Sequence, residues 1–144
     1  MEQKRIEIEL RTVIDRNGDK EMTIVKQSGD YMRKNEIEII TFIENREDIG
    51  KIRNYITIQK HKVTIRRSGA ISMSHHFEVG KKSESLYRHP YGALHFLITT
   101  KSLDCTPLSK DGHGDVVIVY DAVINGIEQQ EHHLTLTYME EKER

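Results

Sequence analysis

Apolar residues recur at every second position through most of this chain, and that period constrains the fold more than any other feature. Ile6, Ile8, Leu10, Thr12 and Ile14 occupy one beat of the opening segment, while Glu7, Glu9 and Arg11 occupy the other. Successive side chains of an extended strand point to opposite faces, so the alternation describes a strand with one wet face and one buried face. Near the end of the chain the same rhythm forms a hairpin. Val116, Ile118, Tyr120, Ala122 and Ile124 lead into Asn125-Gly126, and His132, Leu134, Leu136 and Tyr138 lead out of it. Asn-Gly tolerates the positive φ angles of a tight hairpin turn.

Between these ends the rhythm is cut by turn residues. Asn17-Gly18-Asp19 ends the first strand; a second, over 21–28, turns at Ser28-Gly29-Asp30 into a third over 36–44. The third is apolar on both phases, with Ile37, Ile39 and Ile43 against Ile40 and Phe42, so its period does not orient it. Strands over 52–59 and 62–68 follow a polar connection too short for a stable helix, and Gly69 marks a bend. Ile71, Met73, His75, Phe77 and Val79 carry the next apolar phase, then Gly80-Lys81-Lys82 turns into a strand ending near Arg88. His89-Pro90-Tyr91-Gly92 interrupts pairing, Leu94, Phe96 and Ile98 resume it, and 101–114 reads as the longest connection. Nine or ten strands with hairpin-length links predict an all-β chain, a single antiparallel up-and-down barrel over 1–144 with a frayed tail at 139–144. Closure removes the exposed edges that an open meander would leave, and a two-sheet sandwich is the structural alternative.

Composition narrows the partners. The 144 residues suit one core, and a net charge of −1 supplies no global field for gathering nucleic acid or an anionic membrane. Lys60, Lys62, Arg66 and Arg67 are the local basic candidates for an RNA contact, and their strand setting reads more simply as a solvated face. A single cysteine, Cys105, forms no internal disulfide and lies in what reads as a Leu-Asp-Cys-Thr-Pro connection, incidental to chemistry. With no apolar run long enough for a signal peptide or a spanning helix, the expectation is a soluble, cytoplasmic protein without a membrane partner.

Val63-Thr-Ile65-Arg-Arg67-Ser-Gly69, Tyr87-Arg-His-Pro90-Tyr-Gly92, Ile98-Thr-Thr100 and Gly114-Asp-Val-Val-Ile-Val-Tyr120, in this order and spacing, resemble the YwiB-like family of small bacterial β-barrel proteins. Phe42-Ile-Glu44 looks like that family's Tyr-x-Glu element with phenylalanine in place of tyrosine. The resemblance covers nearly the whole chain. It implies a fold similar to the calycin barrels, which include lipocalins and fatty-acid-binding proteins, and it carries no assigned biochemical role; a ligand borrowed from calycins is analogy.

The chemistry-bearing candidates are polar side chains on the apolar beat. Arg67 follows Val63 and Ile65 at steps of two, so its guanidinium shares their face, and Glu44, in phase with Ile40 and Phe42, is the nominated partner. The bland reading is a pair that ties down a strand end. His75, Tyr87, Tyr120 and Tyr138 complete the candidate interior cluster, each with an apolar body and a polar tip that suits either a pocket or a core. The pairs His75-His76 and His132-His133 do not chelate one ion, because neighbours on a strand face opposite ways; a metal would need His75 with His95 or His132, and none is predicted. Gly112-His113-Gly114-Asp115 precedes a strand and lacks the helix N-terminus of a phosphate loop. Ser68 and Asp104 have no elbow motif to order a hydrolytic triad.

Three functions follow, with no cofactor expected in any. The first is a barrel that holds a small apolar or amphipathic molecule oriented by Arg67 and the tyrosines. The second is a protein- or RNA-interaction module with a side-chain-filled barrel. The weakest is an enzyme using Glu44 for acid-base chemistry, which no companion group specifies.

Overall fold

The computed structural model describes residues 2–141, and these form ten strands and no helix. They are β1 (Glu2–Arg16), β2 (Asp19–Lys34), β3 (Ile37–Arg46), β4 (Gly50–Ile58), β5 (Val63–Gly69), β6 (Met73–Phe77), β7 (Lys82–His89), β8 (Gly92–Thr106), β9 (His113–Ile124) and β10 (Glu128–Glu140). Every pairing is antiparallel, in the order β6-β5-β4-β3-β2-β1-β10-β9-β8-β7. The two ends of that sheet meet at one bridge, where Ser72 N–H donates to the Arg88 carbonyl at 2.9 Å and Arg88 N–H donates back at 2.8 Å. The result is a nearly closed barrel with a seam between β6 and β7.

Alternation dictates which side chains fill it. Ile6 and Ile8 of β1, Ile40 and Phe42 of β3, Ile56 and Ile58 of β4, and Ile118 and Leu136 of the last hairpin face inward and are buried. Each such side chain contributes about 1.5–3 kcal/mol on leaving water. The ambiguous third strand is oriented by its acids: Glu38 and Glu44 go inside with Ile40 and Phe42, and Ile37 and Ile43 remain exposed.

Several strands are longer than the turn residues suggest. β2 runs straight through Ser28-Gly29-Asp30, and the chain reverses after Lys34, where Asn35 adopts φ 58°. Gly29 serves close approach instead of a turn, since a Cβ there would lie 2.5 Å from the Thr41 carbonyl oxygen and 2.6 Å from Ile8 Cδ1. β8 continues to Thr106 past a register shift between Thr100 and Ser102, so Cys105 belongs to a strand and not to a connection. Burial pushes its thiol up to about 11, far from a thiolate at neutral pH. β10 stays paired through Glu140, whose N–H reaches the Gly112 carbonyl, so 139–140 are not frayed; 142–144 of the expected tail lie outside the described residues.

Candidate functional site

The barrel interior differs at its two ends. At one end Tyr31, Glu38, Leu108 and Tyr138 pack together, all buried. The Glu38 carboxylate accepts the Tyr31 hydroxyl at 2.5 Å, the Leu108 N–H at 3.1 Å and the Tyr138 hydroxyl at 3.1 and 3.2 Å. Leu108 comes from the β8–β9 connection, which therefore folds across this end and seals it. Burial, together with the facing carboxylate, raises the pKa of both tyrosines, so both remain donors.

The other end is hollow. A cavity of about 680 Å³ opens there, with exposed Arg46, Asn125, Ile127 and Glu128 at its rim. Leu10, Val25, Ile65, Met73, Phe96 and Leu134 supply apolar wall. Five of the six candidate residues line it: Glu44, Arg67, His75, Tyr87 and Tyr120. Tyr138 does not. It follows the same apolar beat on β10, but its position along the strand carries it to the sealed end, against Glu38.

Along the cavity wall the polar groups are organised in two sets. Glu44 Oε1 accepts Arg67 Nη2 at 3.0 Å and Asn54 Nδ2 at 2.9 Å, joining β3, β4 and β5. The nominated arginine–carboxylate pair therefore forms, and the local reason is register, since Asn54 pairs with both Phe42 and Arg67 across its two neighbours. On β6, the strand next to Arg67's own, His75 Nδ1 lies 2.9 Å from Ser85 Oγ, a side-chain contact across the β6–β7 seam. Tyr120 stacks on His132 with ring centroids 4.7 Å apart, and the Phe77 ring lies tilted against Tyr120, also at 4.7 Å. Phe96 joins His75 at 5.3 Å and Tyr87 at 5.9 Å, so an aromatic wall spans the cavity.

Charge in this wall is scarce. Burial lowers the pKa of His75 to about 4, with His132 adding to the effect, and burial then Arg16 lowers that of His132 to about 4. Both rings are neutral at neutral pH. Tyr120 is pushed upward by burial and keeps its proton.

His132, Gln130, Asn54 and Glu38 were absent from the sequence-derived cluster. The signal was available: His132 alternates with Leu134 and Leu136, and Glu38 with Ile40 and Phe42. His75 and His132 are buried while His76 and His133 point outward, as strand alternation requires. His95 is exposed beside Glu84 and does not join His75. Among the described residues no three His, Cys, Asp or Glu side chains converge on a metal position. Lys60, Lys62 and Arg66 are exposed on the outer surface, and Arg67 alone of that basic group turns inward.

Residues 8–136 match the family described as a domain of unknown function, DUF1934. The uncharacterized β-barrel protein YwiB of Bacillus subtilis (strain 168) is 26% identical over 133 residues, 92% of each chain. The crystal structure of the Bacillus subtilis YwiB protein is similar with a TM-score of 0.84 and 24% identity, covering 97% of this chain and 94% of that one, a likeness that shows the fold.

Proposed function

This chain belongs to the DUF1934 family, and we propose that it is a small-molecule-binding barrel, similar in design to calycins, whose open end holds one apolar or amphipathic molecule. The observation that carries this reading is the cavity of about 680 Å³, lined by an aromatic wall and by polar groups drawn from separate strands. Its volume falls in the range of small-molecule sites, which are mostly apolar with a few fixed polar groups. Support also comes from the contrast with the other end, where Tyr31, Glu38, Leu108 and Tyr138 are buried against one another and hydrogen-bonded.

The test is saturable binding of Nile red, an uncharged solvatochromic dye, followed by its blue shift and emission. One-to-one binding that is lost in Leu10→Trp and Val25→Trp, two partly buried cavity positions, is the expected result, with circular dichroism melts confirming that both variants fold. Dye that binds the filled variants unchanged overturns the reading.

A second reading is favoured by one outer-face feature. Arg53, Arg66 and the half-exposed Tyr55 line a groove of about 580 Å³ over β2 to β5, a setting that suits stacking on a base and pairing with phosphate in an RNA partner. Electrophoretic mobility shifts with single-stranded RNA test it: retention that is lost in Arg53→Glu/Arg66→Glu supports the RNA reading, and no retention by the parent protein removes it.

A further inference from the structure

Pairing between β2 and β3 stops part of the way along both strands. Asp30–Lys34 pair with Ile37–Thr41, and beyond that ladder the strands part, β2 following β1 from Gly29 back to Asp19 and β3 following β4 from Phe42 to Arg46. Among the described residues no other strand pairs with the open side of either segment. Gly29 stands where they branch, in contact so close that a Cβ there would lie 2.5 Å from the Thr41 carbonyl oxygen and 3.0 Å from Phe42 Cβ. The fork is also a side opening of the cavity, since Thr23 and Val25 of β2 and Glu44 and Arg46 of β3 line the same volume without a ladder between them.

Backbone geometry fixes which groups face the fork. A two-residue turn makes its flanking residues a hydrogen-bonded pair, so Arg16 and Asp19 bond around Asn17-Gly18, and the odd-numbered residues of β2 turn their N–H and C=O toward β1. The even-numbered residues turn theirs the other way. Lys34, paired with Ile37 around Asn35-Glu36, has the same phase and bonds toward β3. Lys20, Met22, Ile24, Lys26 and Ser28 therefore present N–H and C=O to the fork with no strand to receive them. Their side chains lie on the outer face, where Met22 is 59% and Ile24 42% exposed. An edge of this kind is a template for another strand.

Charge decides what kind of strand fits. In the outer groove that begins at the fork, Asp30 is the one acidic residue, and Arg5 holds it at 3.0 Å. Arg53 and Arg66, in the same groove, pair with no carboxylate among the described residues. Lys20 and Lys26 add positive charge along the free edge, Lys26 with Glu9 3.7 Å away. A strand laid against β2 alternates as β2 does: one set of its side chains follows Thr23 and Val25 into the apolar cavity, and the other lies outside on the basic face.

We propose that the fork between β2 and β3 is a docking site for an extended segment of a partner protein with apolar and acidic residues at alternate positions. The segment pairs with the free edge of β2, puts its apolar side chains into the cavity and turns its acidic ones toward Arg53 and Arg66. This goes beyond the small-molecule reading, because it concerns the side opening and draws its affinity from main-chain hydrogen bonds as well as from the cavity.

The experiment is fluorescence anisotropy on the full chain with two labelled octapeptides, one alternating Glu and Val and one alternating Lys and Val. Saturable binding of the Glu-Val peptide, about tenfold or more tighter than the Lys-Val peptide at low salt, is the expected result. Ile24→Pro deletes one fork-facing N–H and leaves the β1 ladder untouched, so it is expected to weaken the Glu-Val peptide by about tenfold while circular dichroism melts show a folded barrel. Arg53→Glu/Arg66→Glu, on the exposed outer face, is expected to abolish the preference for Glu over Lys. Glu-Val binding that is unchanged in both variants overturns the proposal, and so does a parent protein that binds neither peptide, whether or not it retains single-stranded RNA. One-to-one Nile red binding by a protein that takes up neither peptide removes this inference and leaves the small-molecule reading standing.

Discussion

Glu38 and Glu44 lie on the same face of β3, about 20 Å apart at the rise of a strand, and both are nearly buried, at 3% and 4% exposure. Their surroundings differ in kind. Glu38 accepts from two hydroxyls and a backbone N–H, and the β8–β9 connection closes over it. Glu44 is held by a cation and an amide, and each of those partners keeps an unpaired buried atom, Arg67 Nε and Asn54 Oδ1. A buried carboxylate on the apolar beat therefore does not mark a ligand site by itself. What separates the two acids is their setting: chain closes over Glu38, while Glu44 and both of its partners border the cavity.

Mutations break that comparison most sharply at the sealed end. Glu38→Ala strands three buried donors, and urea denaturation should show a loss of about 4 kcal/mol with no change in Nile red affinity of the molecules that remain folded. The histidines of the hollow end give the next effect. Their folded-state pKa values, about 4, lie below the ordinary 6.5, so the unfolded chain takes up protons first as pH falls. The stability from keeping each ring neutral is complete above pH 6.5 and disappears as pH drops toward 4, up to about 3 kcal/mol per histidine. His132→Phe should lose that much less than the parent over this window, measured by denaturation at matched pH.

Gly114→Ala comes third. Its new Cβ would lie 2.5 Å from a ring carbon of Tyr138, and the tightly packed sealed end should yield at a cost of about 2 kcal/mol. The smallest change belongs to Glu44→Gln. Glutamine keeps a side-chain oxygen to accept from Arg67 Nη2 and Asn54 Nδ2, so the exchange should cost only about 1 kcal/mol in denaturation, against the fourfold larger effect of stranding the donors around Glu38. Equal costs at the two acids would erase the distinction between the ends.

Much of this was legible in the residues. Alternation located the strands, closed the sheet and phased Glu44, Arg67, His75, Tyr87 and Tyr120 to the inside, because period two is a geometric property of extended backbone. Position along the barrel axis was not legible, since alternation reports which face a residue takes and not which end. That is why Tyr138 was grouped with residues that lie at the opposite end. Gly29 misled for a related reason: glycine marks either a turn or a close approach, and only the packing of Ile8 and Thr41 around it tells them apart. The hydrogen-bond chain from Glu128 through Gln130 to His132 steps by two along one strand. It was present in the sequence as Glu-x-Gln-x-His, and its meaning depended on knowing that the interior beside it is open.

The central claim is that the barrel is hollow and receptive at the Glu44 end and solid at the Glu38 end. Amide chemical-shift mapping of 15N-labelled protein titrated with Nile red tests it most directly. The account predicts saturable shifts clustered at His75, Phe96, Tyr120 and His132, with Tyr31, Glu38 and Tyr138 unmoved; shifts centred on the Glu38 end, or scattered over the outer face of β2–β5, would contradict it.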